Sequence, residues 1–237
     1  MSPATVKPFD FDRFRSDGFW VWEGVFSATE VEQAIARALA LPAAGRGGAF
    51  APAMQPHRED PEFLRLMRHP AVVATVETLV GGPAAGLQTQ FFYTMPGTRG
   101  FSAHQDNFFV EAPSQQFVSV WIALTDVAAA NGGLILWPGS HRFGKLPVRP
   151  VTLAPAAGQD VNANNEETIV PDGLGTVDLV APLGSAVFLH CEMVHASHTN
   201  RSSAPRYAQL NTYIRAGAPF RAGNTAQRQE IPLHVDR

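Results

Sequence analysis

The stretch FVSVWIALTDVAAANGGLILWPGS, residues 117–140, contains two strand signals separated by strong turn signals. Phe117–Leu124 is almost entirely apolar, with β-branched and aromatic side chains, and this predicts a strand buried on both faces. Asn131-Gly132-Gly133 predicts a tight turn, and Leu134–Trp137 predicts a second short strand that ends at Pro138-Gly139. Short apolar strands interrupted by such turns are typical of a β-sandwich or a β-barrel.

Further strand signals flank this stretch on both sides. Each is a short run of apolar and β-branched residues bounded by turn-forming residues. The predicted strands are Gly86–Tyr93, Gly175–Leu179, Ala186–His190 and Tyr207–Ile214. Residues 145–176 are rich in proline, asparagine and glycine and are long for a connection inside a domain, so we expect them to form a lid loop over a functional site.

The first third of the chain has a helical pattern instead. Residues 9–41 are predicted to be mostly helical, with Ser27 and Glu30 as a capping box in which each side chain satisfies a backbone donor of the other. Two shorter helices are expected over residues 60–68 and 71–80, before the stop at Gly81-Gly82-Pro83.

These signals predict a mainly β fold with flanking helices, of the α+β class. We expect a single domain over residues 1–237, in which a mostly helical flank over 1–85 precedes a β core over 86–215. A chain of this length is sufficient for one sizeable hydrophobic core.

The composition excludes several classes of protein. Hydrophobic residues make up 45% of the chain and charged residues 16%, which is a globular balance and rules out a disordered or fibrous chain. The formal net charge is −3, so neither nucleic acid nor an anionic membrane is expected as a partner. Cys191 is the only cysteine, which leaves no internal disulfide. The first 14 residues lack a signal-peptide pattern and no run of roughly 20 apolar residues occurs, so a cytoplasmic location is expected.

His104-Gln105-Asp106 is the first candidate for metal chemistry. On a strand, residues two apart point to the same face, so His104 and Asp106 would project together into a barrel interior. Residues 188–198 contain three histidines, and one of them could complete a triad of two histidines and one carboxylate. Such a triad binds non-haem Fe(II) with one face open, whereas a cysteine-based zinc site is excluded by the cysteine count. A His-x-Asp pair on the surface remains the alternative interpretation.

Arg206 is the second candidate, eleven residues after His195. A guanidinium binds a carboxylate through two parallel hydrogen bonds, so an arginine deep in a barrel would anchor the far carboxylate of a dicarboxylic cosubstrate. The alternative is a surface arginine, because residues 200–206 are turn-like in composition.

Taken together, these motifs resemble the phytanoyl-CoA dioxygenase family of Fe(II)/2-oxoglutarate-dependent oxygenases. The resemblance covers roughly residues 10–215 and rests on an ordered set of short matches. They are Pro96-Gly97, His104-Gln105-Asp106, Trp121–Asp126, Asn131-Gly132-Gly133, Pro138–His141, Gly184–His190, His195-Ala-Ser197, Asn200 and Arg206. The resemblance implies a double-stranded β-helix, a jelly-roll barrel, for the β core.

The resemblance also implies roles for individual residues. His104, Asp106 and His195 become the ligands of Fe(II). Arg206 binds the distal carboxylate of 2-oxoglutarate, and the Ser197 hydroxyl assists it.

A polar residue on the strand before Pro96-Gly97 is also expected to contact the cosubstrate. Gln88 and Gln90 share one strand face; the spacing favours Gln88, and Gln90 is the alternative or faces substrate.

Substrate contacts are expected near the metal ligands. Gln105, Asn107 and Phe108 are the candidates. Strand parity turns Gln105 and Asn107 away from the ligand face and Phe108 toward it.

The implied activity is oxidation, by default hydroxylation, of an aliphatic C–H bond in a small molecule, using O2 and 2-oxoglutarate and releasing succinate and CO2. A role in the biosynthesis of a specialised metabolite is the expected setting. Asp106 argues against halogenation, since the halogenating members of the family have a small residue in its place. The alternative is a cupin-like metalloenzyme, an isomerase or oxygenase, that does not use 2-oxoglutarate and needs no Arg206. The substrate, the regiochemistry and the oligomeric state stay open.

Overall fold

The strand predicted at Phe117 lies in the middle of a large antiparallel sheet in the computed structural model, which describes residues 8–45, 52–151 and 164–234. The strands, in chain order, are β1 (Phe19–Trp22), β2 (Ala53–Met54), β3 (Ala84–Thr94), β4 (Phe117–Ala123), β5 (Leu134–Leu136), β6 (Val148–Pro150), β7 (Glu166–Thr168), β8 (Val177–Asp178), β9 (Ala186–His190), β10 (His195–Ser197), β11 (Arg206–Arg215) and β12 (Ile231–Pro232). The α-helices are α1 (Phe11–Asp17), α2 (Ala28–Ala40), α3 (Phe63–Met67), α4 (Pro70–Val80) and α5 (Asn107–Val110).

The major sheet has seven strands in the order β1-β9-β4-β11-β3-β12, with β2 also paired to β3. All seven residues of β4 are buried, which matches the apolar, unalternating sequence of a strand covered on both faces. Its two neighbours are β9 and β11, so the centre of the sheet comes from segments that are distant in sequence.

A smaller antiparallel sheet, β10-β5-β8, faces the major sheet. An isolated bridge between His104 and His195 extends this sheet beside β10. Apolar side chains of both sheets meet in one cluster, which includes Trp121 of β4, Leu136 of β5 and Leu189 of β9. Two facing antiparallel sheets with helices at one side confirm the mainly β, α+β prediction.

Helices α1 to α4 cover the outer face of the major sheet. α3 and α4 contribute Phe63, Met67 and Val76 to a second core cluster, together with Phe91 and Tyr213 of the sheet. The predicted capping box begins α2, because the Ser27 side chain accepts from the Glu30 N–H and the Glu30 carboxylate accepts from the Ser27 N–H. α2 is the longest helix at 13 residues, and no helix of the described ranges is long and apolar enough to cross a membrane.

Residues 9–41 were predicted to be mostly helical, and the structure adds a strand that was not predicted, since β1 separates α1 from α2. Gly18 ends α1 in the left-handed conformation, with φ of 83°. The next four residues, Phe-Trp-Val-Trp, pair with β9 at the edge of the major sheet, with Phe19 opposite Leu189. Aromatic and β-branched side chains suit this half-buried edge, and the pairing with β9 fixes the strand.

The segment 145–176, predicted as a lid loop, contains a short hairpin of β6 and β7. Residues 152–163 of this prediction lie outside the described residues. Asn164 follows them and binds the backbone at Gly100 and Ser102, which places this part of the segment beside the strands that carry the candidate site.

After β11 the chain forms an irregular segment, residues 216–230, before it pairs with β3 through β12. Backbone groups attach this segment to the barrel. Gln55 donates to the carbonyl of Ala226 at 2.9 Å, and the N–H of Arg221 donates to the carbonyl of Val110 at 2.6 Å. We call residues 216–230 the C-terminal segment below.

Candidate functional site

A cavity of about 490 Å³ lies between the two sheets, with its walls formed by both. Side chains of β3, β4, β9 and β11 line one side, and side chains of β5 and β10 line the other. The polar residues predicted for metal and cosubstrate all face this space; they are Gln88, Gln90, His104, Asp106, His195, Ser197 and Arg206. One cavity therefore contains both candidate sites.

His104, Asp106 and His195 converge on one point in the cavity wall. Nε2 of His104 lies 3.7 Å from Oδ1 of Asp106, and Nε2 of His195 lies 3.6 Å from the same oxygen. The three ligand atoms lie within 4.8 Å of one another. His195 reaches this point from β10, and His104 from the bridge that pairs with it. Two imidazoles and one carboxylate in such a cluster suit a divalent metal such as Fe(II).

Backbone carbonyls orient both imidazoles. Nδ1 of His104 lies 2.8 Å from the carbonyl oxygen of Ser102, and Nδ1 of His195 lies 3.1 Å from that of Met193. A proton on each Nδ1 satisfies these carbonyls and leaves the Nε2 lone pairs directed at the convergence point. Burial lowers the pKa of His104 to about 4, with the neighbouring His195 acting in the same direction. A neutral imidazole is the form that binds a metal.

A side chain of β4 forms a hydrogen bond with the oxygen of the Asp106 carboxylate that points away from the two histidines. The Ser119 hydroxyl donates to Oδ2 of Asp106 at 2.5 Å, which leaves Oδ1 toward the two histidines. Ser119 is fully buried in an otherwise apolar strand, so its hydroxyl needs this partner. Such outer contacts fix the orientation of a metal ligand.

Arg206 lies at the start of β11 and is 3% exposed. Its Nη2 donates to the carbonyl of Gly132 at 3.1 Å, while Nε and Nη1 are buried and have no hydrogen-bond partner. The guanidinium carbon lies 5.2 Å from the ring centroid of Trp121, which forms the floor beneath it. Burial lowers the pKa of Arg206 to about 10, so the group stays charged near neutral pH. A buried charge with two unused donors requires an anionic partner, and a carboxylate fits it.

Other polar groups of the cavity also lack partners. Oε1 of Gln88 and the Thr212 hydroxyl are buried and unpaired, and the two residues are paired neighbours on β3 and β11. The Ser197 hydroxyl accepts from the N–H of Phe101 at 2.8 Å, so its proton is available to the cavity. Gln90 faces the same cavity, and its amide contacts the sulfur of Met54 at 3.0 Å. These groups fit a polar cosubstrate.

Comparison with known proteins agrees with this geometry. The family model described as "Phytanoyl-CoA dioxygenase (PhyH)" matches residues 14–208. The chain belongs to the PhyH family. This is a family of Fe(II)/2-oxoglutarate-dependent oxygenases, as the motifs from Pro96 to Arg206 indicated.

Two curated relatives show the range of the PhyH family around this chain. L-proline trans-4-hydroxylase of Streptomyces griseoviridis is 32% identical over 207 residues, which are 76% of this chain and 76% of that protein. Phytanoyl-CoA dioxygenase domain-containing protein 1 of Mus musculus is 29% identical over 181 residues, 75% of this chain. The match spans 62% of the mouse protein, so the chain covers less than two thirds of its length.

Solved structures of the same fold confirm the double-stranded β-helix. The epimerase SnoN, in complex with Fe3+, alpha ketoglutarate and nogalamycin RO, superposes with a TM-score of 0.72 at 24% identity. The superposition covers 95% of this chain and 94% of SnoN. The barrel of this PhyH-family chain is therefore the jelly roll that the resemblance implied.

Two residues expected near substrate have structural contacts instead. Gln105 is 2% exposed and lies outside the cavity, where its amide donates to the carbonyls of Gly144 and Glu192 and accepts from the N–H of Leu146. Asn107 is buried and binds the backbone N–H and carbonyl of Ala112. Both side-chain amides form hydrogen bonds with backbone groups and lie outside the main cavity, so neither is positioned to contact a substrate there.

The parity expected for Phe108 fails because the backbone there is helical. Asp106 leads directly into α5, so the two-residue alternation of a strand does not continue past the metal ligand. Phe108 lines a smaller adjoining cavity under the Lys145 ammonium, which lies 5.6 Å from the ring centroid. Phe109 lines the main cavity instead.

Several polar residues of the site were not predicted from the sequence, and Ser119, Arg221 and Arg228 are three of them. Ser119 had a detectable signal, since a serine within the apolar run of β4 needs a buried partner. Arg221 and Arg228 of the C-terminal segment also line the cavity. No motif marks them, because the backbone that carries them is irregular and lies beyond the family match.

The remaining histidines of residues 188–198 lie away from the three ligands. The ring of His190 lies against that of His141 at a tilt of 49°, with ring centroids 4.8 Å apart, and does not line the cavity. His198 pairs with Asp178 on the surface at 2.7 Å. His190, Cys191 and Glu192 also form a cluster, but burial raises the pKa of the Cys191 thiol to about 12, which disfavours the thiolate that a metal requires.

Proposed function

We propose that this protein is an Fe(II)/2-oxoglutarate-dependent oxygenase that hydroxylates an aliphatic C–H bond of a small molecule in the biosynthesis of a specialised metabolite. The observation that carries the proposal is the buried Arg206, whose Nε and Nη1 have no partner and whose cavity also contains the triad. Fe(II) held by these residues would supply, with 2-oxoglutarate and O2, the oxidising power for a C–H bond, and 2-oxoglutarate would be converted to succinate and CO2.

Different residues are proposed to bind the metal and to orient 2-oxoglutarate. His104, Asp106 and His195 are proposed to hold iron from one side, which leaves the cavity side open. Arg206 is proposed to bind the distal carboxylate of 2-oxoglutarate, with a hydrogen bond from the Ser197 hydroxyl. Together these contacts would fix the cosubstrate relative to the metal before any substrate enters.

The rest of the cavity supports a small, partly apolar substrate. A volume of about 490 Å³ lies within the range of small-molecule sites. Phe109, Leu189 and Leu210 form apolar walls beside the triad and would exclude water from it. A relative named L-proline trans-4-hydroxylase also supports hydroxylation of a small molecule.

The test is an anaerobic titration of the Fe(II) protein with 2-oxoglutarate, followed in the visible spectrum. A saturable charge-transfer band is expected, because 2-oxoglutarate would then be chelated to iron. Substrate-dependent release of succinate in air is the second expected result. Iron bound without any band would favour the cupin-like alternative.

Arg206→Ala separates the two enzyme classes more sharply. Removing charged hydrogen bonds should weaken 2-oxoglutarate binding by roughly 10- to 100-fold. Arg206→Lys keeps the charge and loses the two-pronged geometry, so its affinity should fall in between. Unchanged 2-oxoglutarate affinity in Arg206→Ala would contradict the proposal, since a cupin-like enzyme does not need this residue.

A further inference from the structure

Two arginines of the C-terminal segment line the mouth of the cavity. Arg221 and Arg228 face the same space as the triad, and neither belongs to the metal or cosubstrate residues assigned above. They differ in how their donors are used. That difference decides which of them is available to a ligand.

Arg221 is fully engaged by the protein. Its Nη1 pairs with the carboxylate of Glu111 at 3.2 Å. Its Nε and Nη2 donate to the backbone carbonyls of Phe109 at 3.2 Å and Phe108 at 2.8 Å. All three nitrogens have partners, so Arg221 is a structural clamp between the C-terminal segment and α5.

Arg228 is engaged along one edge alone. Its Nη1 donates to the carbonyls of Phe109, Arg221 and Ala222, at 3.1, 3.2 and 3.5 Å. Its Nε is buried without a partner, and Nη2 forms no hydrogen bond with the described residues. Nε and Nη2 form the side of the guanidinium that binds a carboxylate with two parallel N–H bonds. The Nη1 contacts hold this free edge in a fixed position.

Arg228 forms no ion pair with a carboxylate of the described residues, which are 8–45, 52–151 and 164–234. Burial lowers the pKa of Arg228, as does the nearby Arg221 charge, while Asp106 acts in the opposite direction. Under the proposed function, Asp106 is a metal ligand and Arg206 is paired with 2-oxoglutarate. Glu166 also lines the cavity but forms no ion pair with Arg228, so the Arg228 guanidinium remains without an ion-pair partner among the described residues.

We propose that the free Nε–Nη2 edge of Arg228 binds a carboxylate of the substrate, which makes the substrate a small organic acid. The inference rests on the proposed function, because a substrate is defined by the oxygenase reaction proposed above. One guanidinium edge matches the two oxygens of a monoanionic carboxylate, and the apolar walls at Phe109 and Leu210 receive the carbon skeleton. Arg228 would thus hold one end of the acid at the mouth while its aliphatic carbons extend toward the triad.

The test compares acids with their neutral amides. The probes are L-proline, pipecolic acid, cyclohexanecarboxylic acid and octanoic acid, each beside its primary amide, at saturating 2-oxoglutarate. Binding to the anaerobic Fe(II) protein is measured by calorimetry and by the shift of the charge-transfer band. At least one acid is expected to bind 10-fold or more tightly than its amide.

Variants of both arginines locate the effect. Arg228→Gln should remove the preference for acid over amide, and Arg228→Lys should keep part of it, since charge remains without the two-pronged edge. Arg221→Gln is the matched control and should retain the preference. Thermal melting of each variant verifies folding, and Arg228→Lys still tests the proposal if Arg228→Gln does not fold.

The outcomes separate this inference from the proposed function. Equal binding of acids and amides, no binding of any acid, or a preference that survives in Arg228→Gln would overturn the role of Arg228. If acids bind through Arg228 but 2-oxoglutarate gives no band, the proposed function fails and the carboxylate site stands. If the band forms and acids show no preference, the carboxylate site fails alone.

Discussion

The deep end of the cavity and its mouth each present an arginine, but they are built differently. Arg206 projects from β11, in the centre of the seven-stranded sheet, and is almost wholly buried. Arg228 projects from an irregular segment and is half-buried. Pairing with Thr94 of β3 fixes the backbone of Arg206, whereas Arg228 depends on backbone carbonyls gathered around Nη1. The deep end of the cavity is therefore formed by the sheet, whereas the mouth is formed by the C-terminal segment, which is attached to the sheet.

The largest expected effect is a loss of iron affinity at the deep end of the cavity. His195→Ala removes a ligand atom from the triad and should lower iron affinity by more than ~100-fold, beyond the range typical of outer contacts. Succinate formation should be lost with the iron. Metal analysis of the purified variant measures the effect. His198→Ala, three residues away, is the control, because its pair with Asp178 is exposed and should have no influence on iron.

Ser119→Ala should have the next largest effect. The variant frees Oδ2 of Asp106 to turn, so iron affinity should fall roughly 10- to 100-fold while the fold is kept. Iron titration with a competing chelator measures it. Ser114→Ala is the matched control, since that hydroxyl is exposed and bonds Glu192. Equal iron affinity in the two variants would show that Ser119 does not orient the ligand.

Gln88 and Gln90 allow a finer comparison within the deep end. Gln88→Leu should weaken 2-oxoglutarate binding by about 2- to 10-fold, the effect of one neutral hydrogen bond, because its buried Oε1 side faces the cosubstrate space without a partner. Gln90→Leu should have a smaller effect, since its amide already contacts Met54. The spectral titration with 2-oxoglutarate measures both. A larger loss in Gln90→Leu would reverse the assignment.

The smallest expected effect is a pH dependence of stability outside the site. Burial lowers the pKa of both His57 and His190 to about 4 from a usual value of 6.5. The unfolded chain therefore takes up protons below pH 6.5 that the folded chain refuses until pH 4. Stability is fully present above pH 6.5 and is lost as the pH falls toward 4. Thermal melts should show Tm lower by a few degrees at pH 5 than at pH 7. A higher Tm at pH 5 would contradict this reasoning.

The strands at the deep end of the cavity were predicted better from the sequence than the segment at its mouth. β4, β9 and β11 were predicted to within a residue or two. β4 and β9 have the nearly uninterrupted apolar sequences of strands buried on both faces, and β11 has the β-branched and aromatic residues typical of a strand. β1 was not predicted, since only its pairing with β9 distinguishes Phe19–Trp22 from the helices on either side.

The residues of the candidate site also divide into those that the sequence indicated and those that it did not. The ligand residues and Arg206 were recognisable because their types and spacing are those the chemistry needs. The turn of the chain into α5 depends on contacts such as the Asn107 amide with Ala112, and these are not visible as a pattern. Arg221 and Arg228 lie on backbone without periodicity, so nothing in their spacing indicated the cavity.

The attachment of the C-terminal segment through backbone groups has a consequence for evolution and for engineering. Gln55 and Arg58 bind carbonyls of Ala226 and Gln227, and such contacts do not depend on which side chains the segment carries. Apart from Arg221 and Arg228, whose side chains bind α5, the segment is therefore open to substitution with the barrel and its metal ligands left in place. A library that varies residues 216–230 but keeps Arg221 would sample new selectivities without changing the metal ligands or Arg206.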